Sequence, residues 1–255
     1  MIYYDQLSVE FVVKGVIRVV ETAMRGAVTS TPLVTRAGGR IATFHPEIHL
    51  SVPVVFSTAE AGNTSPKYGN GAIENRQAVL EEVGLLGKRV VTMIPQHGIG
   101  ATFAPSDQDE VKYDILFTSR PGIVLELRSA DCFPVILTGF SERGKQCIAL
   151  VHAGREGLKQ GVVQWGIEAF SKALYVSPQE MTMAVGPGIC RMCYDGTDLF
   201  VQIRDQAYKA GLGGDIWRSN RCTKHGTEPS FPSHSRSLKT GEPEGRFMTL
   251  VWLPG

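Results

Sequence analysis

The chain reads as a mixed α/β (α+β) protein with a single domain, and three observations predict it. Eight short runs rich in Val, Ile, Leu and Phe are bounded by Gly, Pro or charged residues, the signature of buried strands. Helical periodicity is confined to three stretches that fall between those runs. No Pro/Ser/Gly-rich linker or charge run divides the 255 residues, of which 43% are hydrophobic, so one core is expected rather than two.

Residues 1 to about 50 are the least patterned, with candidate strands at Val9–Val13 and Val16–Val20. They read as an N-terminal extension, or a further part, of a domain covering residues 51–255. Val52–Phe56 is the first well-marked strand. Ile73, Leu80 and Val83 then mark one face of a helix ending near Gly84 or Gly87, since glycine adopts the left-handed conformation that closes helices. Strands follow at Val90–Ile94, Ile115–Thr118, Val124–Leu127, Cys132–Leu137 and Cys147–Val151. Leu158, Val162, Trp165, Ala169 and Ala173 mark a second helix. Ser177-Pro178-Gln179-Glu180 has the Ser and Glu of a capping box with Pro just inside, yet leaves room for one turn before a strand at Met181–Val185. Leu199–Ala210 is a third helix, stopped by Gly211, and Phe247–Leu253 is the last strand. The Gly-, Ser- and Pro-rich stretch holding His225 and His234 reads as loop. Eight strands can form one curved sheet or two stacked ones.

Charge narrows the function classes. Lys+Arg number 26 against Asp+Glu 25, and no basic stripe stands out, so nucleic acid is not an expected partner and a small-molecule substrate is. Five cysteines make no disulfide framework and fit a reducing, cytoplasmic setting. Met1-Ile2-Tyr3-Tyr4-Asp5 lacks the basic segment of a signal peptide, and Lys14 and Arg18 interrupt the apolar stretch from Phe11 to Val20, so no membrane association is expected. Asn63-Thr64-Ser65 reads as a turn.

Three residues carry chemistry: His97 in Gln96-His97-Gly98, Cys132 in Ala130-Asp131-Cys132-Phe133-Pro134, and His152 in Val151-His152-Ala153-Gly154. Each borders a predicted strand. Two imidazoles and one thiolate with a fourth position open are the inventory of a catalytic zinc site rather than a closed structural one. Their separations match no local zinc signature, so folding must gather them. Asp131 sets a carboxylate beside the thiol, and Ala153-Gly154 lets backbone approach a ligand closely. On these residues alone a metal-independent cysteine hydrolase also stays open, with Cys132 as nucleophile and His152 as base. Cys190-Arg191-Met192-Cys193 is a C-x-x-C with no partner pair at zinc-ribbon spacing, and ordinary thiols are the expected reading. His45 and His49, near Glu47, read as an exposed loop. Gly186-Pro187-Gly188 is too short for a phosphate loop and reads as a sharp turn.

Phe56-Ser57-Thr58, Glu74-Asn75-Arg76, His97-Gly98, Thr118 with Pro121-Gly122, Ser129 to Val135, Val151 to Gly154, Gly186 to Ile189, Cys222-Thr223 and Gly245-Arg246 occur in that order between about Val54 and Leu253. In this order they resemble the YfiH-like laccase-domain family, also called multicopper polyphenol oxidases or peptidoglycan editing factors. The resemblance implies a single domain of mixed β-sheets flanked by helices, Zn2+ held by His97, Cys132 and His152, and phosphorolysis of purine nucleosides, so nucleoside and phosphate are the implied small-molecule partners. It also implies adenosine deamination and, in one branch, amide hydrolysis that removes misplaced serine from peptidoglycan precursors. Asp131 and Cys132 are then the expected catalytic residues, with Asp131 orienting or moving a proton, and Arg76 or Arg155 the expected anion contacts. One departure stands out: the family has His-Ala-Gly-Trp-Arg-Gly where this chain reads His152-Ala153-Gly154-Arg155-Glu156-Gly157, and Glu156 opposes an anion at that place. A zinc protein that binds nucleoside without turnover is therefore a further reading. Copper oxidation is disfavoured, because six histidines include no His-x-His pair.

Overall fold

The computed structural model describes residues 26–254 apart from 37, 46, 47, 49, 106 and 227. The candidate strands at Val9–Val13 and Val16–Val20, together with Glu47 and His49, lie outside the described residues. In chain order the elements are β1 (Val28–Thr31), β2 (Leu33–Arg36), β3 (Ile41–Phe44), β4 (Val54–Ser57), α1 (Ala72–Glu82), β5 (Arg89–Met93), β6 (Ala101–Phe103), β7 (Glu110–Val111), β8 (Ile115–Thr118) and β9 (Ile123–Ser129). They continue with β10 (Phe133–Phe140), β11 (Gln146–Ala153), α2 (Arg155–Lys159), α3 (Val162–Leu174), β12 (Thr182–Val185), α4 (Leu199–Lys209), β13 (Ile216–Ser219), α5 (His234–Thr240) and β14 (Phe247–Trp252).

The strands form two seven-stranded mixed sheets, ordered β1-β13-β12-β10-β11-β8-β6 and β2-β3-β4-β14-β9-β5-β7. Strand periodicity explains the layering. Val135 and Leu137 of β10 and Val151 of β11 pack with Val162, Ile167 and Phe170 of α3 and Ile203 of α4. The residues between them, Ile136, Ile148 and Leu150, point the opposite way and meet Phe56, Val91, Leu125, Leu127 and Phe247 of the second sheet. On the outer face of that sheet, Val79 and Leu80 of α1 cover Val90, Val124 and Leu250. The order is helices, sheet, sheet, helix. A strand buried on both faces reads as a continuous apolar run, as β10 and β11 do, and each fully buried Leu, Ile or Phe contributes about 1.5–3 kcal/mol.

All eight expected strands are present. Of the others, β1, β2 and β3 fall within the first fifty residues and join both sheets, β1 beside β13 and β3 beside β4. The helices differ in detail from expectation. On α1 the buried residues are Ala72, Val79 and Leu80, while Ile73 is 58% exposed. The expected second helix is broken at Gly161, which has φ +85°, into α2 and α3. The buried stripe of α3 runs through Val163, Gly166, Ile167, Phe170 and Leu174, and Trp165 faces outward. Both stripes obey helical spacing, and the one with Ile167 and Phe170 removes more apolar area from water. Helix α5 replaces an expected loop: Ser233 caps it, accepting from the Arg236 N–H at 3.1 Å, and Gly241 closes it with φ +75°. Its Leu238 is exposed, so no amphipathic stripe marks it. Ser177 caps nothing; its hydroxyl turns to Gln179 Oε1 at 2.8 Å, and residues 178–180 make a single 3-10 turn. Among the described residues no helix is long and apolar enough to cross a membrane.

Candidate metal centre

One end of the first sheet gathers the expected ligands. Strands β10 and β11 form an antiparallel pair with Phe133 opposite Ala153 and Pro134 opposite His152. Cys132, the residue before β10, therefore comes beside the end of β11 and its His152. On the other side of β11, Ile115 of β8 lies opposite Val151, and the His152 N–H donates to the Asp114 carbonyl at 2.8 Å. His97 arrives from the loop between β5 and β6. One ligand atom from each of His97, Cys132 and His152 lies within 4.8 Å of the others. The two imidazoles stand nearly perpendicular, with ring centroids 5.0 Å apart.

A carboxylate that the sequence reading missed organises this group. Asp114, at 0% exposure, takes the His152 Nδ1–H at 2.9 Å. The same carboxylate accepts from the backbone N–H groups of His97 and Gly98, each at 2.9 Å, and of Gln96. It thus holds one imidazole and wraps the loop that carries the other, leaving His152 Nε2 for an ion. His97 adopts φ +59°, a left-handed conformation that a non-glycine residue keeps only when its surroundings fix it. The backbone also leaves room: a Cβ on Gly154 would lie 2.8 Å from Cys132 Sγ and 3.3 Å from His152 Cε1. The donor set, two nitrogens and one sulfur, suits zinc or another borderline-soft cation. His97 is exposed whereas His152 is buried, so the open side of the set faces solvent.

Burial pushes the Cys132 thiol up, but the His152 charge and hydrogen bonds from both imidazoles outweigh it and bring its pKa down to about 6. His152 moves the other way. Burial disfavours its charged form, yet the adjacent Cys132 thiolate and the Asp114 carboxylate lift it to about 9. Asp114 is itself drawn below the usual carboxylate range, since the His152 bond and the backbone donors overcome its burial. A nucleophilic or ligating sulfur is thus available at neutral pH.

The remaining expected residues sit elsewhere. Asp131, with φ +76°, is buried and fully engaged: Oδ1 accepts from Thr223 Oγ1 at 2.6 Å and Ser233 Oγ at 2.7 Å, and Oδ2 from the Ser235 N–H at 2.7 Å. The carboxylate bonded to the His152 imidazole is Asp114 rather than the expected Asp131. Arg76 of α1 pairs with buried Glu126 of β9 at 2.7 Å, and Arg128 shares that carboxylate at 2.6 Å. Arg155 and Glu156 open α2 on the surface, bonded to one another at 2.8 Å, with Lys159 on Glu156 at 3.0 Å. Glu156 is therefore compensated by two cations. The Cys190-x-x-Cys193 pair does have partners, because Cys222 and His225 come against it. A cavity of about 650 Å3 lies on the far side, lined by Ile41, Phe44, Val54, Val83 and Trp252, and carries none of these ligands.

Residues 55–199 match the family described as multi-copper polyphenol oxidoreductase laccase. The chain belongs to that family. Among relatives of this laccase-domain protein, a purine nucleoside phosphorylase of Deinococcus radiodurans is 28% identical over 241 residues, covering 81% of this chain and 91% of the relative. A purine nucleoside phosphorylase of Corynebacterium glutamicum is 32% identical over 207 residues, covering 71% and 80%. Two solved structures share the fold. YlmD from Geobacillus stearothermophilus superposes with a TM-score of 0.76 at 20% identity over 88% of this chain and 100% of that one. The Bacillus licheniformis protein YfiH gives 0.75 at 21% identity over 87% and 99%.

Proposed function

We propose that this laccase-domain protein is a zinc-dependent purine nucleoside phosphorylase, with adenosine deamination as a companion activity on the same centre. The observation that carries the reading is the gathering of His97, Cys132 and His152 donor atoms within 4.8 Å, open toward solvent. The names of its relatives supply the substrate class. A divalent ion held there supplies Lewis acidity toward a bound oxygen or nitrogen.

The residues divide the work. Asp114 fixes the tautomer and angle of His152 and the course of the His97 loop. Gly154 keeps the space beside the sulfur open. Asp131 is a positioning residue: it fixes the backbone that carries Cys132 by tying it to Thr223, Ser233 and Ser235. Arg155 and Lys159, two cations around Glu156, form a rim with a surplus positive charge on which phosphate can approach. Arg76 and Arg128 likewise leave one positive charge beyond Glu126, which anchors them against the second sheet. In phosphorolysis a phosphate oxygen bonds to ribose C1′ while the bond from C1′ to the purine nitrogen breaks, and the departing base takes up a proton.

Metal analysis of purified protein, followed by incubation with adenosine with and without phosphate, tests this. Adenine that appears only with phosphate supports phosphorolysis, and inosine supports deamination. Cys132→Ser is expected to remove the metal of this centre and bring turnover to background. Full activity in that variant after its metal is stripped would overturn the reading.

One observation favours a second reading, a metal-independent cysteine hydrolase: a Cys132 sulfur within 4.8 Å of a His152 ring nitrogen, where each draws the other toward the pairing of a thiolate with an imidazolium. Alkylation separates the two. Under this reading iodoacetamide abolishes activity and a chelator does not; under the first, the chelator abolishes it.

A further inference from the structure

The geometry points to a second metal site in this chain, a closed structural zinc site formed by Cys190, Cys193, Cys222 and His225. It stands independently of the metal at His97, Cys132 and His152.

Two pairs at the same spacing converge, Cys190-x-x-Cys193 and Cys222-x-x-His225. The first pair spans a 3-10 turn in the loop after β12, with Cys190 at its N-cap and Cys193 its last residue, and the second lies in the loop after β13. One donor atom from each of the four lies within 4.8 Å of the others, and His225 Nδ1 is 3.6 Å from Cys190 Sγ and 2.9 Å from Cys193 Sγ. With Zn–S near 2.3 Å and Zn–N near 2.0 Å, a tetrahedral ion separates its donors by about 3.5–3.8 Å. Small shifts suffice to admit it. All five cysteines of the chain are free thiols, so three sulfurs crowd here without a disulfide. Packing alone accounts for a buried thiol but not for an exposed imidazole aimed at two of them.

The backbone is shaped for the same purpose. The Cys190 N–H donates to Cys222 Sγ at 3.3 Å, as amides do toward a ligating sulfur. A Cβ on Gly226 would fall 2.2 Å from the Cys222 carbonyl oxygen, so the turn that brings His225 back over Cys222 needs glycine there. Gly188 bridges to Cys222, and the Thr223 N–H donates to the Gly188 carbonyl at 3.2 Å. Four protein ligands leave no open position, which assigns the ion a structural rather than a catalytic role. That role reaches the first centre, since Thr223 also bonds Asp131, the neighbour of Cys132.

Zinc content of the full chain, measured after gel filtration, tests the site. Two zinc ions per chain are expected, falling to one in His225→Ala and to one in Cys132→Ser. The exposed His225→Ala variant is expected to remain folded with a lower Tm and to retain the other ion. A cobalt-loaded Cys132→Ser protein is expected to show intense thiolate-to-cobalt absorption in the near ultraviolet, from three sulfurs. Zinc content that is the same in His225→Ala and Cys193→Ser as in the parent chain would overturn the proposal, as would a Cys132→Ser protein free of zinc. A chain holding one ion, lost in His225→Ala but kept in Cys132→Ser, would support this site while removing the first.

Discussion

The two Cys/His clusters among the described residues are built by opposite means. The first is mounted mainly on strand ends: Cys132 precedes β10, His152 lies in β11, and Asp114 at the head of β8 locks the His152 imidazole and holds the loop that carries His97. The second is mounted on two loops, each contributing a pair of ligands three residues apart. Strand register and the Asp114 hydrogen bonds fix these three side chains without an ion, so a fourth position can stay open. Loop-borne ligands have less to hold them, and a fourth donor closes the shell. The difference teaches that, here, rigidity of the support goes with reactivity of the site.

Substitutions can break or sharpen that contrast. Gly154→Ala is expected to act most strongly, because its Cβ meets Cys132 Sγ at 2.8 Å; a displaced sulfur should lower kcat/KM about a hundredfold while zinc at the loop cluster is untouched. Asp114→Asn removes the charge that orients His152 and is expected to cost about 10- to 100-fold in metal affinity or activity, measured by competition with a chromophoric chelator. Unchanged affinity would mean that strand register alone aligns the ligand. Asp131→Asn sets an amide among three donors and is expected to cost about 1–3 kcal/mol in denaturant unfolding, with a smaller fall in kcat. It bears on both clusters, since Thr223 lies next to Cys222. Glu156→Gln should do least. With one anion removed from an exposed rim, KM for phosphate is expected to fall about twofold, and the gain should vanish at high salt. A rise in KM instead would mean that Glu156 holds Arg155 in its working position.

How legible all this was from the sequence depended on burial. The long strands β9, β10 and β11 announce themselves because both of their faces are covered, which forces continuous apolar runs. Strands such as Val28–Thr31 or Glu110–Val111 are two to four residues long and partly polar, so nothing separates them from loop until their partners are known. Helix α5 shows only its caps, Ser233 and Gly241. His97, Cys132 and His152 could be picked out because each borders a readable strand. Asp114 could not, since Lys112-Tyr113-Asp114 looks like surface and its role needs the pairing of Ile115 with Val151. The second cluster carried its own signal. Cys222-x-x-His225 has the same spacing as Cys190-x-x-Cys193, but reading its stretch as mere loop kept the halves apart.

The register of β8, β10 and β11 has one more effect, on how the native state responds to its surroundings. Cys132 and His152 meet only when β10 and β11 are paired, and His97 joins them only when Asp114, at the head of β8, holds its loop, so an unfolded chain offers an ion no comparable home. Free metal should then act as a brace across the sheet, adding about 1.4 kcal/mol to the unfolding free energy for each tenfold rise above its dissociation constant. Scarcity of the ion would be felt first as fragility of the sheet's end, before any substrate arrives.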